Sequence, residues 1–224
     1  MNPILHFHPL SSFCHKVLIA LYENGTPFEP RIVDFGDPES NGKFRALWPL
    51  AKIPVLADGD EVIPETSIIV EYLQQHYPGP VRLLPEDADL CLQARLWDRI
   101  FDLHVSVPMQ KIVQQRIRPE GQRDPAGAAE AEAMLRTAYA VIERQLAGRQ
   151  WAVGAPFTLA DCAAAPALFY ASMLVPFEAG QRELAGYFER LVQRPAVARV
   201  LKEAQPYLAL FPFRERVPAR FLAS

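Results

Sequence analysis

Ser11-Ser12-Phe13-Cys14-His15-Lys16 is the stretch that decides how the first half of this chain folds. It follows Ile4-Leu5-His6-Phe7, a short apolar segment that reads as a strand, and it opens a helix. Cys14, Val17, Leu18 and Leu21 recur at i, i+3, i+4 and i+7, so they form the core face of that helix. Asn24-Gly25 supplies the stop, and Thr26-Pro27 keeps it stopped. Two hydroxyls therefore stand where a strand hands over to a helix N-terminus. Unpaired backbone N–H groups and the helix dipole favour an anion there, a thiolate included. An ordinary N-cap accounts for one of the two serines, and the case for a binding site rests on what lies downstream.

Downstream, Ala51-Lys52-Ile53-Pro54-Val55-Leu56 reads as a strand and Asp58-Gly59 as a hairpin turn. A second strand, Glu61-Val62-Ile63, leads into Pro64-Glu65-Thr66-Ser67-Ile68-Ile69, the start of a helix. Pro54 sits at the mouth of an apolar strand, and a cis Ile53–Pro54 bond would be a specific reason to keep it there. Thr66 is the expected cap of the helix, whose buried face reads as Ile69, Tyr72, Leu73 and His76. In the second half, Phe157-Thr158-Leu159-Ala160-Asp161 has the form of a capping box, Thr158 and Asp161 each taking an orphan helical N–H.

In this combination and order, the chain closely resembles the cytosolic glutathione S-transferase family. That family carries a catalytic Ser, Tyr or Cys in its first βα turn, a Lys or Gln just before an x-Pro cis bond, and a Glu-Ser or Asp-Ser pair capping the third helix. Ser11, Lys52-Ile53-Pro54 and Glu65-Thr66 stand in those places here, and Thr158-x-x-Asp161 matches the box that opens the family's sixth helix. Ser11-x-x-Cys14 before a basic residue is most similar to the serine-type classes such as theta and tau. Trp48-Pro49 replaces the family's common Asn-Pro. A zeta-like isomerase resembles the chain at Ser11-Ser12, although Phe13 stands where that class has Cys.

The resemblance implies a thioredoxin-like N-terminal domain (βαβαββα) over residues 1–82, then an all-helical domain over 86–224, an α/β plus all-α architecture. It implies glutathione as co-substrate, with no tightly bound cofactor and no metal. Ser11, with Ser12 as the backup, would stabilise the glutathione thiolate. Ile53 would present its backbone to the cysteinyl residue, Glu65 and Thr66 would meet the γ-glutamyl end, and Lys52 would pair with the glycyl carboxylate. Taken singly, Lys52 reads better as a solvated strand charge and Thr66 as a plain cap; taken together at the family's spacing, the binding reading is the better one. Trp97, Phe101, His104 and Met109 are the candidates for a pocket that takes a small hydrophobic electrophile. A homodimer is implied as well. A non-catalytic glutathione-binding or protein-interaction member of the same fold is the alternative function.

Composition agrees with an ordinary folded chain. Of 224 residues, 50% are hydrophobic and 22% charged, with a net charge of −3 and no basic run. Nucleic acid and anionic membrane surfaces are therefore poor partners. Met1-Asn2-Pro3-Ile4 lacks the basic flank and apolar run of a signal peptide, and no stretch is apolar enough to span a bilayer. Cys14, Cys91 and Cys162 are odd in number and follow no metal-ligand spacing. The expectation is a cytoplasmic protein with reduced thiols. Cys14, on an apolar face, reads as a buried inert thiol.

Tyr77-Pro78-Gly79-Pro80 breaks the alternation of strand and helix and reads as a linker. Beyond it every stripe is helical. Leu92, Leu96, Leu103 and Val107 make the first, with Pro108 as an expected kink. Others are Leu135, Ala138, Ile142 and Leu146; Leu184, Tyr187, Phe188 and Leu191; and Val197, Val200, Leu201 and Ala204. Trp97, Ile100, Phe101 and Val105 form a second stripe on the first long helix, and they are the expected partner-facing surface. Asp98 and Asp102 on that helix read as solvated charges, although some relatives use an acid there to reach a partner's glutathione amine.

Overall fold

The computed structural model describes residues 2–222. Strand β1 (Ile4–Phe7), helix α1 (Ser12–Glu23), β2 (Glu29–Ile32), α2 (Pro38–Leu47), β3 (Val55–Asp58), β4 (Glu61–Pro64) and α3 (Thr66–His76) follow in that order. The sheet runs β2-β1-β3-β4, with β1 and β2 parallel and the other pairs antiparallel. This is the βαβαββα order of a thioredoxin-like unit. The long βαβ crossover through α1 makes the parallel pair, and the two-residue turn at Gly59 makes the antiparallel β3–β4 pair, Asp58 facing Glu61. Gly59 takes φ +59, which a residue without a Cβ adopts freely. At the other end of α1, Asn24 caps the helix and Gly25 turns at φ +59.

The helical half comprises α4 (Ala88–Ile100), a π-helical segment (Phe101–Ser106), α5 (Val107–Ile117), α6 (Pro125–Leu146), α7 (Leu159–Leu174), α8 (Arg182–Gln193) and α9 (Pro195–Ala204), followed by short 3₁₀ turns. Helix α7 is apolar on nearly every side and buried along almost its whole length, as a central helix must be. It packs directly against α1, so one hydrophobic core runs without interruption from the sheet side into the bundle.

The stripes predicted for α6, α8 and α9 are the buried ones. That for the first long helix is not. Leu92, Leu96, Leu103 and Val107 are 62%, 47%, 49% and 47% exposed, while Trp97, Phe101 and Val105 lie in the chain's own core. The inward face of α4 and of the π-helical segment that continues it also carries Ala94, Asp98, Asp102 and Ser106, small or polar residues that an apolar-periodicity reading passes over. The segment before Pro108 is a π-helix. A proline without an N–H, its ring crowding the carbonyl one turn back, accounts for the widened turn. In α3 the buried face is Thr66, Ile69, Val70 and Leu73, and His76 is exposed, stacked on Tyr72. Thr66 does not cap that helix. Glu65 holds the N-cap position at φ +66, without a side-chain capping bond, and Thr66 is the first helical residue.

The capping box at α7 is complete and more heavily loaded than its sequence indicates. Asp161 is fully buried and accepts from the backbone N–H of Ala152 (2.9 Å) and Thr158 (2.8 Å) and from the Tyr187 hydroxyl (2.6 Å). Asp161→Ala leaves these three donors unpaired, and with them the buried Thr158 hydroxyl that also reaches the carboxylate at 3.2 Å, at about 1–3 kcal/mol each. Thermal melting should drop by roughly 10 °C or more, at about 2–4 °C per kcal/mol for a chain of this size. Glutathione affinity of the folded fraction should stay near wild type. An unchanged melting temperature with lost affinity would instead assign Asp161 to the site.

Candidate active site

Ser11 ends the β1–α1 turn as the N-cap of α1, its Oγ accepting from the Cys14 N–H at 3.4 Å. That bond uses an oxygen lone pair and leaves the hydroxyl proton free to donate. Ser12 is the first residue of α1 and is buried, whereas Ser11 is half-buried. Burial raises the Cys14 thiol to about 12, so it remains protonated and unreactive.

Two neighbouring cavities share Phe13, Lys52 and Ile53. The first, of about 240 Å³, is also lined by Trp48, Glu65, Thr66, Arg99 and Asp102. Ile53 precedes Pro54 through a cis peptide bond. The second, of about 630 Å³, is lined by Ser11 and Ser12 and by apolar side chains including Phe35, Met109, Tyr170 and Phe211. Ser11 thus stands in the larger cavity, next to the residues common to both. Of the four side chains expected around an electrophile, only Met109 lines this cavity. Trp97 and Phe101 are packed in the core, and His104 borders a separate apolar groove between α4 and α6. The direction of each side chain around the helix decides this, and both core residues are absent from the lining of the cavity beside the Ser11 turn.

The first cavity carries mixed charge: Lys52 and Arg99 against Glu65 and Asp102. A peptide with two carboxylates and one ammonium finds opposite charges for both kinds of group. Glu65 is held in the left-handed region at φ +66, a conformation of the kind that clusters at ligand sites. Behind the cavity lies a buried ionic cluster that sequence reasoning did not find. The Lys16 ammonium is almost fully buried between Asp98 and Asp102, 2.8 Å from Asp102 Oδ2, and donates to Ser67 Oγ at 3.0 Å. Ser67 donates to Asp98 at 2.7 Å, and Arg99 closes the group by reaching Ser67, Asp98 and Asp102. Asp98 and Asp102 are therefore not solvated. Burial pushes the Asp102 carboxyl above the usual carboxylate range although Lys16 lies alongside. The one signal in the sequence was Lys16 itself, a cation beside the core face of α1 with two acids spaced i, i+4 elsewhere. Nothing local pairs them.

Residues 5–81 match the family model described as "Glutathione S-transferase, N-terminal domain", and residues 97–195 match "Glutathione S-transferase, C-terminal domain". The glutathione S-transferase-like protein LUC7 of a Fusarium species is 32% identical over 83% of this chain and 86% of its own length. FtsZ-localized protein A of Caulobacter vibrioides is 30% identical (92% and 93%), and a probable maleylacetoacetate isomerase of Caenorhabditis elegans 29% (76% and 79%). Among solved structures, a glutathione S-transferase from Methylobacillus flagellatus with glutathione bound superposes with a TM-score of 0.81 at 25% identity, covering 89% of this chain and 98% of that one. One from Methylobacterium radiotolerans in complex with glutathione sulfonate has a TM-score of 0.77 at 30% identity, covering 89% and 94%. The chain belongs to the glutathione S-transferase family of transferases, with that family's fold.

Proposed function

We propose that this chain is a serine-type glutathione transferase that holds the glutathione thiolate at Ser11 for attack on a small apolar electrophile. The observation that carries the reading is the junction of the two cavities. A charged cleft lined by Lys52, Ile53, Glu65 and Thr66 opens beside an apolar cavity that contains the Ser11 turn. A free thiol titrates near ~8.5, and lowering it by about two units requires roughly 2.7 kcal/mol. One hydrogen bond to a charged acceptor supplies about 1.5–3 kcal/mol, and the N-terminus of α1 adds up to ~1–2. Ser11 is the donor; it is not the nucleophile. Ile53 pairs its backbone with the cysteinyl residue, Lys52 takes the glycyl carboxylate, and Glu65 with the Thr66 N–H and hydroxyl takes the γ-glutamyl end.

In this reading residues 1–82 bind glutathione, residues 86–224 supply the electrophile wall, and the protein works in the cytoplasm as a homodimer. Among the described residues no helix is long and apolar enough to cross a membrane. The dimer face is the exposed row Leu92, Leu96, Leu103 and Val107, not the buried Trp97 and Phe101. Leu103 and Val107 also edge the first cavity, so a mate seated there would narrow its mouth. Sedimentation should give twice the 25.2 kDa of one chain; a 25.2 kDa species at micromolar concentration refutes the dimer.

Calorimetric titration is expected to show glutathione binding at millimolar concentration or tighter, and a panel of aryl halides and conjugated enones to show turnover. Absence of binding overturns the reading. Binding without turnover of any panel member would favour a binding role, the direction suggested by the name of the Caulobacter relative.

A further inference from the structure

The turn that carries Ser11 is held by three side chains, and one of them comes from the other half of the chain. Ser11 N–H donates to the His8 carbonyl at 3.0 Å, closing a turn with Pro9 and Leu10 at its centre. His8 Nδ1 accepts from the Leu10 N–H at 3.1 Å. His15 Nε2, from inside α1, donates to the Pro9 carbonyl at 2.5 Å. The Tyr170 hydroxyl, from α7, donates to the Leu10 carbonyl at 2.9 Å. Pro9 has no N–H, so every backbone donor and acceptor between the His8 carbonyl and the Ser11 N–H is engaged.

We propose that Tyr170 is a positioning residue for Ser11: by fixing the Leu10 carbonyl it holds the turn so that the serine hydroxyl points at the glutathione sulfur. The inference rests on the function proposed above. Connections between strand and helix are ordinarily the mobile parts of a fold, and a displacement of about 1 Å in a reacting group can cost a hundredfold in rate. Tyr170 is suited to prevent that. It is 2% exposed, and its ring is wedged against Phe169 (5.0 Å between centroids), Phe211 (5.3 Å) and His15 (5.8 Å). Burial raises its hydroxyl well above the ordinary range, so it stays a donor, and burial lowers His15 to about 4, so it stays a neutral ring. Tyr170 also walls the larger cavity. The side chain that sets the serine is therefore one that a bound electrophile touches.

The test is Tyr170→Phe, which keeps the ring and removes only the hydroxyl. The ultraviolet absorbance of the bound glutathione thiolate is titrated against pH, with the glutathione Kd measured by calorimetry. The Kd at pH 6.5 should stay within about twofold, while the pH midpoint of thiolate formation should rise by about one unit, a tenfold loss of thiolate well below the wild-type midpoint. The kcat should fall about fivefold at pH 6.5 and recover toward wild type above the new midpoint, with KM little changed. His15→Leu, which frees the Pro9 carbonyl of the same turn, should shift the midpoint in the same direction and stands in if Tyr170→Phe does not fold. An unmoved midpoint in the folded variant makes Tyr170 a packing residue and overturns the proposal, whatever the melting temperature does. A wild-type protein that forms no thiolate with glutathione bound overturns the proposed function instead.

Discussion

Ser11→Ala should raise the pKa of enzyme-bound glutathione by one to about two units, the equivalent of about 1.5–3 kcal/mol for a hydrogen bond to a charge, and lower kcat at saturating glutathione and pH 6.5 by roughly 5- to 50-fold. The loss should shrink as pH rises through the new thiol pKa, because hydroxide then does what the serine did. Stability should change little. Ser11 caps α1, but its bond to the Cys14 N–H is long at 3.4 Å, so the cost lies at the low end of about 0.5–2 kcal/mol for a lost cap. Ser12→Ala is the control. Ser12 is buried as the first residue of α1, and replacing it should leave the thiol titration in place. If Ser12→Ala moves the titration and Ser11→Ala does not, the donor is the neighbouring hydroxyl. If Cys14→Ser abolishes activity, the chemistry is redox chemistry at a thiol that burial was argued to silence.

Lys16→Met should be the most destabilising single change near the site. It leaves the Asp98 and Asp102 carboxylates side by side in the interior, with only the half-exposed Arg99 to answer them. Removing one partner from a buried ion pair costs about 3–5 kcal/mol, because the charge left behind is uncompensated. At about 2–4 °C per kcal/mol, the melting temperature should fall by roughly 6–20 °C. Adding Asp98→Asn and Asp102→Asn to Lys16→Met removes the stranded charges and should restore most of the loss. A triple variant no more stable than Lys16→Met would mean that the lysine stem's packing, and not its charge, holds α1 to α4. Glutathione affinity should fall in Lys16→Met as well, since Asp102 and Arg99 line the first cavity and lose their anchor.

Lys16 also marks the boundary of what could be read from the chain alone. The elements were legible because their causes are local. Apolar spacing made α1, α6, α8 and α9, Asp58-Gly59 made the hairpin, and Thr158-x-x-Asp161 opened α7. The order of Ser11, Ile53-Pro54 and Glu65-Thr66 was legible for the same reason, since each sits at a strand end or a helix start. Orientation of a helix with apolar residues on two faces was not. Leu92, Leu96 and Leu103 outrank Ala94, Asp98 and Asp102 on any hydrophobic scale, yet the face that carries the two acids alongside Trp97 and Phe101 is the buried one. What buries it is Lys16, 82 and 86 residues away, together with Ser67 from a third helix. A charge enters a protein interior only when its partner enters too, and the partner is a property of the assembled fold. The same holds for the electrophile wall: Trp97 and Phe101 were plausible by type, but the direction of their side chains placed them in the core and left Met109, Tyr170 and Phe211 to line the cavity. Sequence determined the elements and the serine turn; tertiary structure alone decided which face of α4 is buried and which side chain of α7 holds that turn, because both depend on groups brought together only by packing.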